Sequence, residues 1–420
     1  MTVQAAPSVS AQFPIRFTGD PRAYWRLLVR GAVLLMLTLG IYRFWLITDI
    51  RSYLLANTEV AGDSLEYSGT AIELLTGFLI AVAILLPVYV AFFLAALDLG
   101  PLGQISGVAG FALLFALGQY AVYRARRYRL SRTLYRGLRF HQEGSALRYA
   151  LCAVLWWGAV IITLGLALPW KESRLERFKM RHTFYGDLPG RFEGRGLSLF
   201  LRGLPLWLMV MLPLALAASA IAQALDPEAV SDVLARGGDD MLARLDAINP
   251  ELVAALGFAI AATSLSVALT LLLWPAFQAL RLRWWASGLR FGPLTLRSHL
   301  STVSVYGAYL RFVGYVLLFL LALALGAVPL LAALGYLLQD GDVSILREAA
   351  AALLGLGGYV VAMLGLATLY RATVMLALWR LTVETLALDG LDAVAQVRAA
   401  GRAASPVGEG LADVLHVGGV

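Results

Sequence analysis

The sequence predicts an all-α protein that crosses a membrane several times, and three observations lead to this prediction. Hydrophobic residues make up 60% of the 420-residue chain and charged residues only 15%, whereas soluble chains carry about 25% charged residues. The apolar runs are continuous, as spanning helices require, and do not alternate as the strands of a membrane barrel would. Basic and acidic residues fall in different connections between these runs, which gives each crossing a direction.

Eight hydrophobic segments can be recognised, and six of them have the roughly 20 residues that one crossing needs. The other two are ambiguous, because residues 31–42 form a short apolar run and residues 150–169 form one that is long enough to cross. The six segments predicted to span the membrane are roughly 74–97, 105–123, 199–222, 252–280, 313–338 and 349–378.

Charge decides how the ambiguous segments are interpreted. Residues 124–148 hold eight arginines and one acid, residues 171–195 hold seven basic residues and four acids, and residues 281–311 hold five arginines and no acid. Residues 223–251 instead hold seven acids and two arginines. The positive-inside rule places the three basic segments in the cytoplasm and the acidic segment outside. Because residues 150–169 lie between two basic segments, we expect them to enter and return, or to lie at the interface. A simple crossing is the alternative.

Two stretches of the chain match each other at a constant offset of 125 residues. A register kept over about 50 residues indicates a duplicated unit. We therefore expect residues 31–42 to behave like residues 150–169, which gives six spans with both termini in the cytoplasm. The matching pairs include Thr38-Leu39-Gly40 and Thr163-Leu164-Gly165, Trp45 and Trp170, Thr58 and Thr183, Tyr67 and Phe192, and Gly69 and Gly194.

A second repeat, at an offset of 151, follows two of the predicted spans. Arg132-x4-Gly137-Leu138-Arg139-Phe140 returns as Arg283-x4-Gly288-Leu289-Arg290-Phe291. Equivalent units are expected to face the same compartment, and they do so in the six-span arrangement.

Short alternating segments bounded by glycine are typical of strands. We hypothesise that four of them pair in a small cytoplasmic β-cap, at residues 62–69, 138–141, 190–194 and 289–291.

These patterns divide the chain into a flexible N-terminal tail (1–15), a membrane domain (16–390) and a C-terminal cytoplasmic tail (391–420). The repeated modules of the membrane domain are predicted at 16–78, 117–148, 141–203 and 268–306.

No group of residues suggests catalysis. The four histidines are scattered without a partner at metal-ligand spacing, and no phosphate-binding glycine loop is present. We therefore expect no enzymatic activity, no cofactor and no metal site. Cys152 lies alone in an apolar run, which excludes a disulfide framework and predicts a small buried side chain. Arg311 and Arg371 lie near the cytoplasmic ends of spans, where snorkelling accounts for them.

Aromatic and arginine residues at the module ends have two interpretations. They anchor the chain at the interface, or they bind lipid head groups or a solute anion. The net charge of +7 predicts contact with anionic lipid and not with nucleic acid, since no basic domain stands clear of the membrane segments. The candidate contact residues are Trp45, Arg51, Arg132, Arg139, Phe140, Trp170, Arg283, Arg290 and Phe291.

The order of the aromatic, glycine and threonine positions resembles that of the YjgN-like bacterial inner-membrane proteins, over roughly residues 16–390. The resemblance implies the bacterial inner membrane and a multi-span fold, and it carries over no catalytic or ligand residue. The second copy departs from the pattern where Ile41-Tyr42 becomes Leu166-Ala167 and Gly62 aligns with Asp187. The residues that carry the resemblance are Phe17-x-Gly19, Tyr24, Thr38-Leu39-Gly40-Ile41-Tyr42, Trp45, Arg51, Tyr53, Thr58, Gly62, Tyr67, Gly69 and the Gly-Leu-Arg-Phe element.

The function expected from these features is transport or handling of a small solute or lipid by an integral inner-membrane protein. The alternative is a membrane scaffold that organises membrane shape, whose interfacial helices and shallow hairpins wedge one leaflet. A transporter predicts a polar cavity near the membrane midplane, whereas a scaffold predicts a wide interfacial belt of Trp, Tyr and Arg. Membrane lipids are the expected partners, and association into a homo-oligomer is left open.

Overall fold

A computed structural model describes residues 13–97, 100–237, 240–337, 344–390 and 397–401. The strands are β1 (Phe13–Phe17), β2 (Thr58–Val60), β3 (Asp63–Tyr67), β4 (Thr133–Tyr135), β5 (Leu138–Gln142), β6 (Thr183–Tyr185), β7 (Leu188–Phe192), β8 (Leu289–Phe291), β9 (Leu294–Ser298) and β10 (Leu386–Asp389). The helices are α1 (Pro21–Leu37), α2 (Arg43–Ala56), α3 (Ala71–Ala96), α4 (Pro101–Arg132), α5 (Ala146–Ile162), α6 (Leu168–Arg181), α7 (Gly196–Ala224), α8 (Pro227–Arg236), α9 (Met241–Ile248), α10 (Pro250–Gly288), α11 (Thr302–Leu337), α12 (Ser344–Tyr370), a π-helical turn (Arg371–Met375) and α13 (Leu376–Glu384).

The ten strands form one closed antiparallel barrel in the order β1-β10-β9-β8-β7-β6-β5-β4-β3-β2. The prediction of an all-α fold is therefore wrong. Strands of three to five residues are too short to show a clear hydrophobic alternation in the sequence, and they are stable here because each one is paired along both edges. The four strand-like segments recognised in the sequence are part of this barrel, as β3, β5, β7 and β8.

Tight turns set the register of the barrel. Ala61-Gly62 and Arg136-Gly137 have positive φ at both central residues, as a type I′ hairpin turn requires. Gly186-Asp187 and Gly292-Pro293 have a glycine with positive φ at the first central position, as in type II′ turns. The first and last strands, β1 and β10, also pair with each other. No tight turn connects them, because they are far apart in the chain.

The barrel interior is a packed core. The register brings Tyr185 opposite Phe140, and their ring centroids lie 4.8 Å apart, while Phe140 also contacts Phe291 across 6.1 Å. Because side chains fill it, the barrel is not a pore. The fully buried residues of this core are Tyr135, Tyr185, Leu294 and Leu388.

Between strands the chain makes five helical excursions, α1–α2, α3–α4, α5–α6, α7–α10 and α11–α13, each of which leaves the barrel and returns to it. Among the described residues, six helices are long and apolar enough to cross a membrane, which is the pattern of a multi-pass membrane protein. They are Ala71–Ala96, Ile105–Arg132, Gly196–Ala224, Pro250–Gly288, Thr302–Leu330 and Glu348–Glu384.

The two short excursions, α1–α2 and α5–α6, are not among these candidate spans. Their first helices have 17 residues and their second helices 14, and α6 carries seven charged residues. Since both ends of each excursion lie at the barrel, the chain returns to the side that it left. Cys152 is exposed on α5, so its prediction as a buried residue is wrong.

The Thr-Leu-Gly motif forms the turn of each short hairpin. Leu39 has a φ of 50° and Gly40 one of 93°, and the matching residues of the second copy have 49° and 93°. The Thr38 hydroxyl donates to the carbonyl of Leu34 across 2.7 Å and accepts from the amide of Tyr42 across 3.0 Å. Thr163 makes the same two bonds in the second hairpin. The duplication inferred from this offset stays a prediction.

The two segments that match at an offset of 151 residues occupy different places in the fold. Gly137 lies in the turn between β4 and β5, whereas Gly288 ends α10. Residues 138–140 accordingly open the second strand of one hairpin, and residues 289–291 form the first strand of another. The matching Gly-Leu-Arg-Phe residues alone do not reveal that the two copies occupy different strands of their hairpins.

The chain contains two compact units. One comprises the residues up to Gly196 together with those from Leu282 onward, and the other comprises Leu197–Arg281. The predicted tails lie outside the described residues, except for residues 13–15 in β1 and residues 397–401.

Candidate functional site

Two of the predicted contact arginines hold the ends of helices. Arg139 Nη1 donates to the carbonyl of Ser131 across 2.9 Å, and Arg290 Nη1 donates to the carbonyl of Ser287 across 2.9 Å. The last carbonyls of a helix have no partner within it. These guanidinium groups therefore supply the missing donors at the ends of α4 and α10.

The other three arginines join neighbouring elements. Arg132 pairs with Glu73 across 2.7 Å, which ties α4 to α3. Arg283 Nη2 donates to the Thr302 hydroxyl across 3.0 Å. Arg51 is buried, and its Nη1 donates to the Tyr67 hydroxyl across 3.3 Å.

The four predicted aromatic residues occupy separate surroundings. Phe140 and Phe291 belong to the barrel core. Trp45 stacks on Tyr42 with a centroid separation of 6.2 Å, and Trp170 is partly exposed near the start of α6. Of the nine predicted residues, the structure brings together the two phenylalanines but does not gather the set into one site.

A groove that the sequence did not predict lies between α1, α11 and the segment formed by the end of α12, the π-helical turn and α13. We call it the α11–α13 groove. Its volume is about 820 Å³, within the usual range of small-molecule sites. It is lined by Pro21, Trp25, Arg311, Tyr315, Phe319, Leu369, Ala372, Thr373, Leu376, Ala377, Arg380, Leu381 and Glu384.

Polarity changes along the α11–α13 groove. Arg380 and Glu384 line the end of the groove next to β10, whereas Leu369 is the lining residue of this segment that is farthest from β10 in the chain. At 1.5 Å per residue, the 15 steps from Leu369 to Glu384 cover about 22 Å, which is close to one leaflet of a bilayer with its head groups. The lining of the α11–α13 groove therefore changes from charged to apolar along its length.

Local backbone and small side chains create this space. The π-helical turn Arg371–Met375 interrupts the regular helix, and such turns are frequent at functional sites. Ala372 and Ala377 line the groove where larger residues would fill it. A side chain at Gly365 would collide with the ring of Phe319, so this glycine lets α11 and α12 approach closely.

The charged rim of the α11–α13 groove carries a net positive charge. Arg380 Nε donates to Glu384 Oε1 across 2.8 Å, and the exposed Arg311 donates through Nε to the carbonyl of Gly307 across 3.0 Å. Burial raises the pKa of the nearby Tyr24 to about 12, against the opposing effect of Arg371. Tyr24 is therefore neutral, and two guanidinium groups face one carboxylate.

A second group of charges is buried on α6. Glu176 lies 2.5 Å from Lys179 Nζ and 3.5 Å from Arg126 Nη1. Burial by itself would raise the pKa of Glu176, but the two cations outweigh it and hold that pKa below its usual value. Burial lowers the pKa of Lys179. These groups satisfy one another, which is what a structural ion network requires.

The residues of the α11–α13 groove gave only a weak signal in the sequence. Arg311 and Arg371 were attributed to snorkelling, and Arg380 lies beyond the predicted span. The groove depends on a π-helical turn and on contacts of α1 with α12 and with that turn, which lie more than 300 residues from α1 in the chain. Small residues beside arginine near one end of a span are the pattern that would have indicated it.

A family comparison assigns the chain. The model of DUF898, a family of bacterial proteins of unknown function, matches residues 12–414, so the chain belongs to this family. Neither a curated protein nor a solved structure matches it.

Proposed function

We propose that this member of the DUF898 family is a non-catalytic inner-membrane protein that handles lipid by binding anionic phospholipid in the α11–α13 groove. The barrel faces the cytoplasm in this proposal. The three basic segments of the chain carry barrel strands or flank them, and the acidic segment 223–251 connects the candidate spans α7 and α10. The positive-inside rule supports this orientation.

The observation that carries the proposal is the change from charged to apolar lining along the α11–α13 groove. Arginine matches the geometry of a phosphate through its planar fork of donors, and basic pockets on the cytoplasmic side of spanning helices suit anionic head groups. Tyr315, Phe319 and Leu369 offer an apolar surface for an acyl chain. Binding without chemistry is favoured because arginine is always protonated and supplies no acid or base.

The test compares lipid binding by the purified protein and by groove variants in nanodiscs. Ala377→Trp fills the groove and is expected to abolish the preference for phosphatidylglycerol over phosphatidylcholine. Arg311→Gln combined with Arg380→Gln is expected to reduce that preference about tenfold or more. Native mass spectrometry reports the bound lipid.

The matched control is Ala367→Trp, because Ala367 is an exposed residue of α12, which continues through the π-helical turn into α13, and it does not line the groove. It is expected to bind lipid as the wild type does. Equal preference in the wild type, the filled variant and the control would reject the proposal.

A scaffold function is the second candidate, favoured by the tips of the short hairpins. Leu39 is 94% exposed and Leu164 is 71% exposed, and apolar residues that enter one leaflet from a short hairpin act as a wedge. Leu39→Ser with Leu164→Ser should then reduce the deformation of vesicles seen by electron microscopy. The α11–α13 groove is unchanged in this variant, so unaltered lipid preference separates the two functions.

A further inference from the structure

A second basic cavity lies on the outer side of the barrel, between the end of α6 and β7. We call it the α6–β7 pocket. It has a volume of about 360 Å³ and is separate from the α11–α13 groove. Its lining residues are Arg177, Arg181, Pro189, Gly190, Arg191, Phe192 and Glu193.

Positive charge is concentrated in the α6–β7 pocket. Arg191 lies directly opposite Arg290 in the register of β7 and β8, and like charges in this position destabilise a sheet. Glu193, the one carboxylate among the lining residues, pairs with Arg290 across 3.2 Å. The lining therefore keeps an excess of cations that a bound anion would compensate.

The fold does not demand these arginines. At the offset of 125 residues, the positions of Arg177, Arg181 and Arg191 are taken by Ser52, Ala56 and Glu66. The first copy has the same helix, hairpin and strand order with an opposite charge on the strand. Arg181 and Arg191 of the second copy thus do not arise from the requirements of helix or barrel packing.

Arg177 has a partial structural role. Its Nη2 donates to the carbonyl of Gly194 across 3.1 Å, and Arg127 makes the corresponding bond to Gly144. Arg181 and Arg191 are exposed side chains and have no counterpart of this role. A test of the pocket therefore has to replace Arg181 and Arg191.

We propose that the α6–β7 pocket binds a phosphoryl group. Several guanidinium groups around one small cavity suit the oxygens and the double negative charge of a phosphate better than the single charge of a carboxylate. The pocket residue Glu193 is only three residues before α7 begins, which brings the pocket close to a candidate membrane surface. The phosphoryl group therefore belongs either to a lipid head group or to a soluble phosphate compound.

The experiment uses the full-length protein in nanodiscs and the variant Arg181→Ala with Arg191→Glu, which installs the residues of the first copy. One arm measures binding of inorganic phosphate and pyrophosphate by calorimetry in phosphatidylcholine nanodiscs. The other arm counts retained phosphatidylglycerol by native mass spectrometry. Arg174→Glu is the control, because Arg174 is exposed on the same helix and does not line the pocket.

The variant is expected to bind at least tenfold more weakly than the control in one arm. A loss confined to phosphatidylglycerol identifies a head-group site, and a loss confined to the soluble anions identifies a soluble ligand. Size-exclusion profiles and thermal unfolding matching those of the control show that the variant is folded. Binding that is absent from the wild type, or equal in the variant and the control, overturns the proposal.

Discussion

The two short helical hairpins, α1–α2 and α5–α6, share a backbone design but bury different side chains. Both turn on Thr-Leu-Gly with the same dihedral angles. In both, a tyrosine of the first helix packs in a tilted arrangement against a ring of the second, since the ring centroids of Tyr24 and Tyr53 lie 5.3 Å apart and those of Tyr149 and Phe178 lie 5.8 Å apart. The turn and these ring contacts are therefore common to the two hairpins.

The buried positions of the two hairpins differ in charge. Leu46 is 3% exposed in the first hairpin, and its counterpart Lys171 is 5% exposed in the second. Lys171 Nζ lies 3.6 Å from the ring centroid of Trp157 and 3.1 Å from Glu172. Arg51 and its counterpart Glu176 are both buried with opposite charges. The comparison teaches that this hairpin accepts a buried charge where a partner is built beside it.

Exchanging the residues at the first of these positions gives the largest expected effect. Leu46→Lys places a charge in an apolar cluster and removes a buried leucine, which costs about 5 kcal/mol or more. Lys171→Leu replaces a paired charge by an apolar side chain and changes stability by about 1 kcal/mol or less. Fluorescence-detected thermal unfolding in detergent checks both variants, and equal losses would break the comparison.

Removing the second buried charge gives the next largest effect. Glu176→Ala leaves Lys179 and Arg126 without their shared carboxylate and should cost about 3 to 5 kcal/mol. The double variant Glu176→Ala with Lys179→Leu places at position 179 the leucine that the first hairpin has at the matching position 54. This variant should recover part of that loss. Arg51→Ala removes a donor to Tyr67 and should cost about 1 to 3 kcal/mol. A larger loss for Arg51→Ala than for Glu176→Ala in the same unfolding assay would contradict this order.

The shared turn predicts equal, smaller effects in the two hairpins. Gly40→Ala and Gly165→Ala each force a side chain into a positive φ of 93°, at a cost of about 1 to 2 kcal/mol. Gly158→Ala is the control, since Gly158 lies inside α5 with open space around it. That change should stabilise the protein by about 0.5 kcal/mol or more. Melting temperatures that fall for only one of the two turn glycines would show that the turns are not equivalent.

The smallest effect is a difference in acid sensitivity. The lowered pKa of Glu176 means that its stabilising contribution is fully present above the unfolded-state pKa. It is lost as the pH falls through the folded-state pKa. Glu176→Gln should therefore flatten the loss of stability below about pH 4.5, by at most about 1.4 kcal/mol per pH unit. Arg51→Gln should not change the slope, because arginine does not titrate in this range. Unfolding curves measured from pH 3 to pH 7 test the difference.

The sequence supported the membrane parts of the fold better than the barrel. Helices of 26 residues or more with a strongly apolar composition, such as α3 and α11, are a pattern that soluble helices lack. The barrel depends on pairings such as β1 with β10, whose residues are more than 370 positions apart, and no local pattern reports these. The sequence predicts that the α1–α2 hairpin turns back only because its Thr-Leu-Gly motif matches that of the α5–α6 hairpin. The motif alone does not indicate the positive φ angles of the turn.

The sequence leaves the candidate contact arginines with two interpretations, anchoring at the interface and binding of a head group or a solute anion. Arg139 and Arg290 are among these arginines because each stands in a Gly-Leu-Arg-Phe element that follows a predicted span. In the structure they instead satisfy the carbonyl groups at helix ends. A sequence pattern does not distinguish these two uses of a guanidinium group, since both place it where a span meets the interface.

Cysteine accessibility tests most directly the claim that the second hairpin returns to the side from which it enters. Glu143→Cys and Asp187→Cys flank α5 and α6, and both residues are exposed, so they are introduced singly into a Cys152→Ala background. Both should react with a membrane-impermeant maleimide in inside-out vesicles and not in intact cells, whereas Asp246→Cys in α9 should show the opposite pattern. Modification of Glu143→Cys and Asp187→Cys from opposite sides would contradict the account.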